Sequence, residues 1–210
     1  MVRHIPGATV SRLPIYARAL LALSARGVTV TSSQILAAES HTNAAQVRKD
    51  LSYLGAFGTR GLGYDVKFLL SQINRYLGLD RDWTVALVGY GQLGHALLGY
   101  KGFSDRGFSI VSIFDADPTK IGQSVNGINV QDAARLSEIL KSNPVDIGII
   151  ATPSPAAQDA ANALVSGGVH SILNFAPVGI RVPPEVSLRN VDLSIELQVL
   201  SFYHSSKAAV

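Results

Sequence analysis

The pattern of apolar and polar positions predicts three short helices in the first third of the chain. The first opens at Leu13-Pro14 and ends before Gly27, because glycine commonly follows a helix C-terminus. The second covers Gln34 to Ala38 and follows a run of hydroxyl side chains that are suited to cap it. The third runs from Asn43 to about Gly55, since Asn43 and Gln46 have capping-box spacing and apolar residues then recur with a helical period.

Three helices in this order, with a third helix that is apolar on one face and polar and basic on the other, are typical of a helix-turn-helix fold. The segment 56–66 is too glycine-rich for a helix and predicts a β-hairpin wing with Arg60 at its tip, suited to a phosphate or minor-groove contact. Candidate DNA contacts from these segments are Ser32, Ser33, Asn43, Gln46, Arg48, Lys49, Ser52, Tyr53 and Arg60.

Charge is distributed unevenly along the 210 residues, whose net charge is +3. Residues 1–78 hold nine Lys and Arg against three Asp and Glu, whereas residues 79–210 hold nine against twelve. A basic segment joined to a slightly acidic one indicates a nucleic-acid-binding module attached to something else. An ordinary solvated basic face is the alternative.

A helix from Val66 to Leu77 is predicted to link the two parts, and the polar, glycine-containing stretch after it places the domain boundary at Gly78. The predicted domains are therefore a winged-helix domain over residues 1–78, a Rossmann-like domain over 79–193 and a C-terminal helix over 194–210. The fold class is α/β.

A glycine-rich turn between a strand and a helix is the most informative motif. The apolar run Val85 to Val88 precedes the residues Gly89, Tyr90, Gly91, Gln92, Leu93 and Gly94, and a second apolar run from Phe108 ends at Asp115. In dinucleotide-binding folds such glycines allow a tight turn, a close pyrophosphate and close helix packing. A carboxylate about 20 residues further on accepts hydrogen bonds from the ribose 2′-OH, which favours NAD over NADP. Alternatively, Asp115 merely caps a loop, although Asp117 is better placed for that role.

Alternating apolar strands and helices continue beyond this motif, as expected for a parallel sheet covered by helices. Helices are predicted at 132–141 and 155–166, and strands at 145–151 and 169–175. Residues at the carboxyl ends of these strands are candidate ligand contacts, since open α/β sheets bind ligands there. They are Thr152, Pro153, Asn174, Ala176 and Pro177, and each also suits ordinary turn chemistry.

The final segment, 194–203, has more apolar residues than one face of a surface helix buries, which predicts packing against a second subunit. The absence of cysteine excludes disulfides and thiolate metal sites, so redox sensing would need a bound cofactor. With no spanning apolar segment or signal peptide, a cytoplasmic protein without membrane or metal partners is expected.

Residues that would carry catalysis are hard to find. About 20 residues remain after the nucleotide fold, too few for a dehydrogenase's substrate domain, and His95, His170 and His204 have no spaced carboxylate or metal-ligand partner. An enzyme is therefore not expected. The alternatives are a small NAD-dependent oxidoreductase with a basic N-terminal appendage, and a CoA-binding domain.

Four segments together resemble the Rex family of bacterial redox-sensing repressors: 46–53 (QVRKDLSY), 58–61 (GTRG), 89–94 (GYGQLG) and 174–177 (NFAP). The resemblance covers nearly the whole chain. It implies a homodimer with winged-helix and Rossmann domains and a C-terminal helix exchanged between subunits. It also implies repression through inverted-repeat operator DNA, competitive binding of NADH and NAD⁺, and release of DNA when NADH binds.

The same resemblance suggests roles for individual residues. The glycine turn and Asp115 would hold the cofactor, and Tyr100 would lie near the nicotinamide. Arg18 and Asp192 match positions that join Tyr100 in a redox-dependent contact between domains and subunits. Leu193 stands where family members can place a phenylalanine against the nicotinamide. From its position, Asp192 is equally suited to cap a terminal helix starting near Ser194.

Overall fold

The computed structural model describes residues 5–55 and 62–208 and divides into two compact units, Met1–Arg81 and Asp82–Val210. Arg60 and most of the predicted wing lie outside the described residues. The described elements of the first unit are helices α1 (Gly7–Ala25), α2 (Ser33–Glu39), α3 (Ala44–Leu54) and α4 (Val66–Tyr76), and the short strands β1 (Val30–Thr31) and β2 (Tyr64–Asp65).

Helix α1 begins at Gly7 and not at Leu13, so Pro14 lies inside the helix and the predicted start is wrong. An internal proline costs a helix about 3 kcal/mol because it removes one hydrogen bond and crowds the preceding turn. Tertiary contacts offset this cost, since the side chains of Thr9 and Tyr16, on either side of the proline, both donate hydrogen bonds to Asp50 of α3.

Strand β2 pairs antiparallel with β1, a strand that the apolar pattern did not predict. The two strands approach closely because Gly63 lies where a Cβ atom would collide with the Thr31 carbonyl oxygen, and its φ of +84° also favours glycine. Tyr64–Asp65 belongs to the segment predicted as a hairpin, and the remainder of that hairpin lies outside the described residues.

The core of the first unit is formed where α1, α2, α3 and α4 bury their apolar faces against each other. Its larger buried side chains are Leu13, Tyr16, Leu20, Leu23, Leu36, Val47, Leu51, Leu54, Val66, Leu69 and Ile73. The Tyr76 hydroxyl also donates a 2.6 Å hydrogen bond to the Leu54 carbonyl oxygen and so joins the ends of α4 and α3. Packing therefore fixes which face of α3 remains in solvent.

The second unit is built on a seven-stranded sheet in the order β5-β6-β4-β3-β7-β8-β9. The neighbouring strands are parallel except for the β5–β6 hairpin. Its strands are β3 (Trp83–Val88), β4 (Phe108–Asp115), β5 (Ser124–Val125), β6 (Ile128–Asp132), β7 (Ile147–Ile150), β8 (Ser171–Asn174) and β9 (Ser187–Asn190). Its helices are α5 (Gln92–Leu98), α6 (Lys101–Ser104), α7 (Leu136–Ser142), α8 (Ser154–Ser166) and α9 (Leu193–Ala208), with a 3₁₀ turn at Ala133–Arg135.

Alternate residues of β3 point to opposite faces of this sheet and enter two separate cores. Ala86 and Val88 pack in a cluster with residues of α7 and α8, whereas Val85 and Leu87 pack in a second cluster with residues of α5 and α6. A strand that is buried on both faces is expected to be continuously apolar. This burial explains why the run Val85 to Val88 shows no alternation.

Several boundaries in the second unit differ from those predicted. Residues Asp132 to Arg135 are not α-helical, because Asp132 ends β6 and its carboxylate caps the following 3₁₀ turn through the Ala134 N–H. Strands β5, β6 and β9 were not predicted at all. They complete the two sides of the sheet, β5 and β6 at one side and β9 at the other. Val130 is the one buried residue in these three strands, so their apolar signal is weak.

Candidate functional site

The glycine turn connects β3 to α5 at the carboxyl edge of the sheet, and its three glycines occupy different environments. Gly89 has φ +96°, and a Cβ atom there would lie 2.7 Å from the Ala151 carbonyl oxygen. At Gly94 a Cβ atom would collide with the Gly89 carbonyl oxygen, so only glycine lets α5 approach this closely. At Gly91, by contrast, no atom of the described residues beyond the two adjoining ones lies within 4 Å of the place that a Cβ atom would take. This open space at the centre of the turn lies where a pyrophosphate binds in dinucleotide-binding folds.

Asp115 ends β4 beside this turn, and the residue is 8% exposed. Its Oδ2 atom accepts a 2.7 Å hydrogen bond from the Tyr90 N–H, and its Oδ1 atom accepts one of 2.8 Å from the Asp117 N–H. The ammonium group of Lys120 lies 3.2 Å from Oδ2. Asp115 therefore fixes the glycine turn to the end of β4 as well as facing the candidate site. Sequence reasoning missed Lys120.

Asp117 caps the next loop, as the sequence suggested. Its Oδ1 atom accepts hydrogen bonds from the N–H and the hydroxyl of Thr119, at 2.9 and 2.7 Å. These bonds, the hydroxyl bond foremost, lower the pKa of the Asp117 carboxyl group. The two carboxylates at the end of β4 thus have different surroundings, and Asp115 is the one in contact with the glycine turn.

Thr152 and Pro153 lie between β7 and α8, directly against the glycine turn. The Thr152 N–H is 2.9 Å from the position that a Cβ atom of Gly89 would take. The Thr152 hydroxyl oxygen is buried and has no hydrogen-bond partner among the described residues. Because a buried hydroxyl without a partner is costly, a polar ligand atom at this edge would satisfy it.

Asn174 ends β8 and is completely buried. Its Nδ2 group donates to the carbonyl oxygens of Ala176 and Val178 and to Asn190 Oδ1, at 3.3, 3.0 and 3.0 Å. Its Oδ1 atom accepts a 3.0 Å hydrogen bond from the Ala176 N–H. The side chain thus shapes the loop that contains Ala176 and Pro177, and these contacts occupy the amide.

Tyr100 is separated from the residues of the carboxyl edge. It precedes α6 and is 57% exposed, and its ring packs edge-on against Phe103 with ring centres 5.1 Å apart. Together with Phe108 and Ile128 it lines a cavity of about 390 Å³ beside the starts of β4 and β6. Within this chain, therefore, the cavity lies at the opposite end of β4 from Asp115.

The first unit presents the polar face of α3 to solvent. Arg48, Lys49 and Ser52 are exposed, and Gln46 and Tyr53 are half-buried. The structure thus places these five predicted DNA contacts on α3, the third helix of the unit.

Other predicted DNA contacts are engaged within the protein. Ser32 and Asn43 cap α2 and α3, since their side-chain oxygens accept hydrogen bonds from the Ile35 and Gln46 N–H groups at 3.2 and 2.8 Å. Ser33 is 8% exposed and accepts a 3.0 Å hydrogen bond from Arg48. The capping box is only half formed, because the Gln46 side chain donates to Asp50.

Asp50 is the functional candidate that sequence reasoning overlooked. It is completely buried on α3 and forms a two-pronged ion pair with Arg12, in which Nε and Nη2 donate hydrogen bonds of 2.6 and 2.8 Å. Burial raises the pKa of Asp50, but hydrogen bonds from Arg12, Tyr16, Thr9 and Gln46 outweigh it and lower the value to about 2. Burial and the hydrogen bond to Asp50 raise the pKa of Tyr16 to about 12. The sequence does indicate that Asp50 is buried, since it follows Val47 by three positions and so lies on the apolar face of α3.

Of the other two candidate switch residues, Arg18 is exposed and Asp192 is half-buried. Arg18 lies on α1 in the first unit. Asp192 directly precedes α9, and its Oδ1 atom accepts hydrogen bonds of 2.6 and 2.9 Å from the hydroxyl and the N–H of Ser194. These hydrogen bonds lower the pKa of the Asp192 carboxyl group, and the bond from the Ser194 hydroxyl has the largest effect. Asp192 therefore has the geometry of a helix cap.

In the part of the chain that the structure describes, no helix is long and apolar enough to span a membrane. Within the same described residues, no group of three or more His, Cys, Asp and Glu side chains is arranged to hold a metal ion.

Two family models match the two units of the chain. A model described as "CoA binding domain" matches residues 80–178, and a model described as "Putative DNA-binding protein N-terminus" matches residues 4–52. The second match contains α1, α2 and most of α3, and the first contains the glycine turn, β4, β7 and β8.

Curated relatives cover nearly the whole chain. The redox-sensing transcriptional repressor Rex of Streptomyces avermitilis is 55% identical over 206 residues, which are 98% of this chain and 82% of that protein. Rex of Desulfitobacterium hafniense is 54% identical over 205 residues, which are 98% of both chains. The chain belongs to the Rex family. Both relatives are transcriptional repressors.

Solved structures of a Rex-family repressor have the same fold along the chain. A crystal structure of RSP in complex with β-NAD⁺ and operator DNA is similar with a TM-score of 0.92 and 34% identity, and covers 98% of this chain and 95% of RSP. RSP in complex with β-NADH is similar with a TM-score of 0.87 and 33% identity, with 98% and 96% covered. The Rex fold therefore accounts for both units of this chain.

Proposed function

We propose that this chain is a transcriptional repressor that senses the cellular ratio of NADH to NAD⁺, binds operator DNA as a homodimer and releases it when NADH binds. The observation that carries this proposal is the presence in one Rex-family chain of an exposed basic helix on a helix-turn-helix unit and a glycine turn on a Rossmann-like unit. A bacterial regulator of this kind acts on DNA in the cytoplasm.

The carboxyl edge of the sheet fits a dinucleotide. The turn at Gly91 leaves room for a pyrophosphate, and the buried Thr152 hydroxyl still needs a partner. In our proposal, residues 89–94 bind the phosphates, Asp115 and Lys120 face the adenine ribose, and Thr152 and Pro153 flank the rest of the ligand. Asn174 acts indirectly, by holding Ala176 and Pro177 in place.

DNA binding is assigned to the exposed face of α3. Lys49 is exposed and able to reach phosphate oxygens. Arg48 first has to leave its contact with Ser33, and the Ser52 hydroxyl its contact with the Lys49 carbonyl oxygen. Ser32 and Asn43 support the two helices by capping them, so any contact they make with DNA is additional. For Arg60, which lies outside the described residues, the contact with a phosphate or the minor groove remains a proposal from the sequence.

A homodimer is supported by α9. Large apolar side chains on all sides of this helix are exposed, and they are Leu193, Ile195, Leu197, Val199, Leu200, Phe202 and Tyr203. A helix that is apolar all round is normally buried, and here a second copy of the chain is proposed to bury it. Inverted-repeat operators match the two-fold symmetry of such a dimer.

The response to NADH has a simple electrostatic basis. Reduction of NAD⁺ removes the positive charge of the nicotinamide ring, so the two forms differ in their interaction with nearby ionic groups. Either form shifts the protein only through its different affinity for the DNA-binding and DNA-free arrangements. We propose Arg18, Tyr100 and Asp192 as the residues that report this difference.

A mobility-shift titration tests the proposed function. The DNA is the duplex that the purified chain selects from a randomised pool, and NADH and NAD⁺ are added in separate series at one fixed salt concentration, because protein–DNA affinity depends on salt. We expect NADH to release the duplex at concentrations where NAD⁺ does not. Equal effects of the two nucleotides would contradict redox sensing, and hydride transfer to a substrate would support the oxidoreductase alternative.

CoA is a second candidate ligand, because the family model that matches residues 80–178 is described as a CoA binding domain. A glycine turn that accepts the pyrophosphate of NAD is also suited to the pyrophosphate of CoA. Addition of CoA to the same titration distinguishes the two. Release of the duplex by CoA and not by NADH would favour CoA as the ligand.

A further inference from the structure

A buried carboxylate connects the proposed recognition helix to the rest of its unit. Asp50 is completely buried on α3 and has five hydrogen-bond donors around it. Four of these donors belong to Thr9, Arg12 and Tyr16 of α1. The two-pronged contact with Arg12 and the hydroxyl bonds approach Asp50 from successive turns of α1, so they fix the rotation of α3 about its own axis as well as its position.

The fifth donor is Gln46, one turn earlier on α3. Its Nε2 group donates a 2.9 Å hydrogen bond to Asp50 Oδ1, an arrangement that the spacing of four residues on a helix allows. A primary amide has two N–H donors and one carbonyl acceptor. Within the described residues, the second N–H and the Oε1 atom of Gln46 have no protein partner. They form the donor–acceptor pair with which glutamine binds the N7 and N6 groups of adenine in the major groove.

Gln46 is also at the position where base contacts are expected. It is the third residue of α3, and the N-terminal residues of a recognition helix are those that reach base edges. A free glutamine side chain would lose rotational freedom on binding DNA, whereas one already held by a buried carboxylate loses less.

We propose that Gln46 reads an adenine in each half of the operator, and that Asp50, which is held by side chains of α1, is the positioning residue that orients Gln46. This inference rests on the DNA-binding function proposed above. Lys49 and Arg48, which are exposed on the same helix, supply affinity that does not depend on sequence.

Selection from a randomised duplex pool with the full chain tests the proposal. The wild-type chain is expected to require adenine at one position of each half-site. Gln46→Ala should reduce that preference by about 5- to 150-fold, the range for a bidentate base contact, and leave the other positions unchanged. Lys49→Ala is the matched control, since it should weaken binding to every duplex and keep the adenine preference.

Asp50→Asn tests the positioning role. It should lose the same adenine preference while binding to an unselected duplex and to NADH is retained, and in a Gln46→Ala background it should cause no further loss. A merely structural role would instead weaken binding to selected and unselected duplexes alike. If Asp50→Asn does not fold, Arg12→Lys replaces it, because lysine keeps a positive charge beside Asp50 but loses the two-pronged contact. Arg12→Lys should then reduce the adenine preference by a smaller factor.

The outcomes separate this proposal from the one on which it rests. A wild-type chain that selects no sequence would overturn the DNA-binding function itself. A chain that selects an operator while Gln46→Ala keeps every base preference would overturn base reading by Gln46. Retained adenine preference in the folded Asp50→Asn or Arg12→Lys variant, or additive losses in the double variant, would overturn the positioning role of Asp50.

Discussion

At the scale of single residues, the glycine turn shows how one residue type serves three physical needs. Gly89 needs its positive φ, Gly94 needs the absence of a Cβ atom against a carbonyl oxygen, and Gly91 leaves space that the protein does not fill. Substitutions at these positions should therefore have different consequences. Only Gly91 is expected to affect ligand binding without affecting the fold.

Gly91→Val should abolish NADH binding and leave the thermal melting temperature nearly unchanged. The φ of Gly91 is −85°, which valine tolerates, and the new methyl groups would point into the open space assigned to the pyrophosphate. NADH fluorescence titration and a thermal melt measure the two effects. Gly94→Ala is the control, since it should destabilise the fold. Tight NADH binding by Gly91→Val would make the turn purely structural.

Asp50 predicts a pH dependence of stability. Its pKa is lowered from 3.8 to about 2, so its contribution to stability is present above pH 4 and is lost as the pH falls towards 2. The difference corresponds to about 2 to 3 kcal/mol. Urea unfolding followed by far-UV circular dichroism at several pH values should show this loss in the transition of the first unit. Glu39→Gln, which removes an exposed ion pair with Arg26, should keep the profile, and Asp50→Asn should flatten it. A profile that stays flat in the wild-type chain would contradict the prediction.

Residues of the site could be predicted from the sequence where only one or two residue types can perform the role. The glycines and Asp115 were found because few other residue types satisfy a dinucleotide turn. Lys120 and Asn174 were not assigned their contacts, because these contacts depend on the conformation of the loops that follow β4 and β8, in which Lys120 meets Asp115 and Asn174 meets backbone carbonyl oxygens. A sequence pattern contains no such information before the fold is known.

At the scale of secondary-structure elements, α3 is the part of the DNA-binding unit whose sequence and structure agree most closely. Its cap, its apolar face and its exposed basic face all follow from local spacing. Its contacts with α1 do not, since they depend on which residues a helix thirty or more positions away presents.

Lys49→Ala and Arg48→Ala should weaken DNA binding by different amounts and leave NADH binding unchanged. Loss of one phosphate contact lowers the slope of log affinity against log salt by about one, and this result is expected for Lys49→Ala. Arg48→Ala should have the smaller effect on the slope if Arg48 stays with Ser33, 3.0 Å away. Ser33→Ala, which frees Arg48, is the control. Unchanged operator affinity in both variants would contradict the assignment of α3.

The elements that the sequence did not predict share one physical property, which is that tertiary contacts define them. Strand β1 exists because β2 pairs with it, and β5, β6 and β9 complete the two sides of the sheet. The early start of α1 at Gly7 depends on the contacts with Asp50 that offset Pro14. By contrast, the central strands β3, β4 and β7 were predicted because burial on both faces gives them long apolar runs.

At the scale of the whole molecule, α9 has large apolar side chains that the single chain leaves exposed, and we propose that a second copy buries them. Leu197→Glu, on a residue that is 68% exposed, should convert the proposed dimer to a monomer without lowering the stability of the single chain. Size-exclusion chromatography with light scattering measures the mass, and mobility shift measures the accompanying loss of operator binding. Ser201→Glu, on the same helix, is the control for added charge. A dimer of unchanged mass would place the interface elsewhere.

Asp192 tests whether the whole molecule responds to the charge of the nicotinamide. Its carboxylate caps α9 through Ser194, so Asp192→Ala removes both a cap and a charge and confounds the two roles. Asp192→Asn separates them, because asparagine caps a helix about as well as aspartate but is neutral. If Asp192 reports the redox state, Asp192→Asn should keep the melting temperature and the binding of both ligands. It should reduce NADH-driven release of the operator by up to about a hundredfold, as expected for the loss of an allosteric coupling.

Ser194→Ala, which weakens the cap and keeps the charge, should lower the melting temperature and leave the release intact. Operator affinity with and without saturating NADH, measured beside thermal melts of the three variants, distinguishes the roles: full release by Asp192→Asn would make Asp192 a helix cap alone.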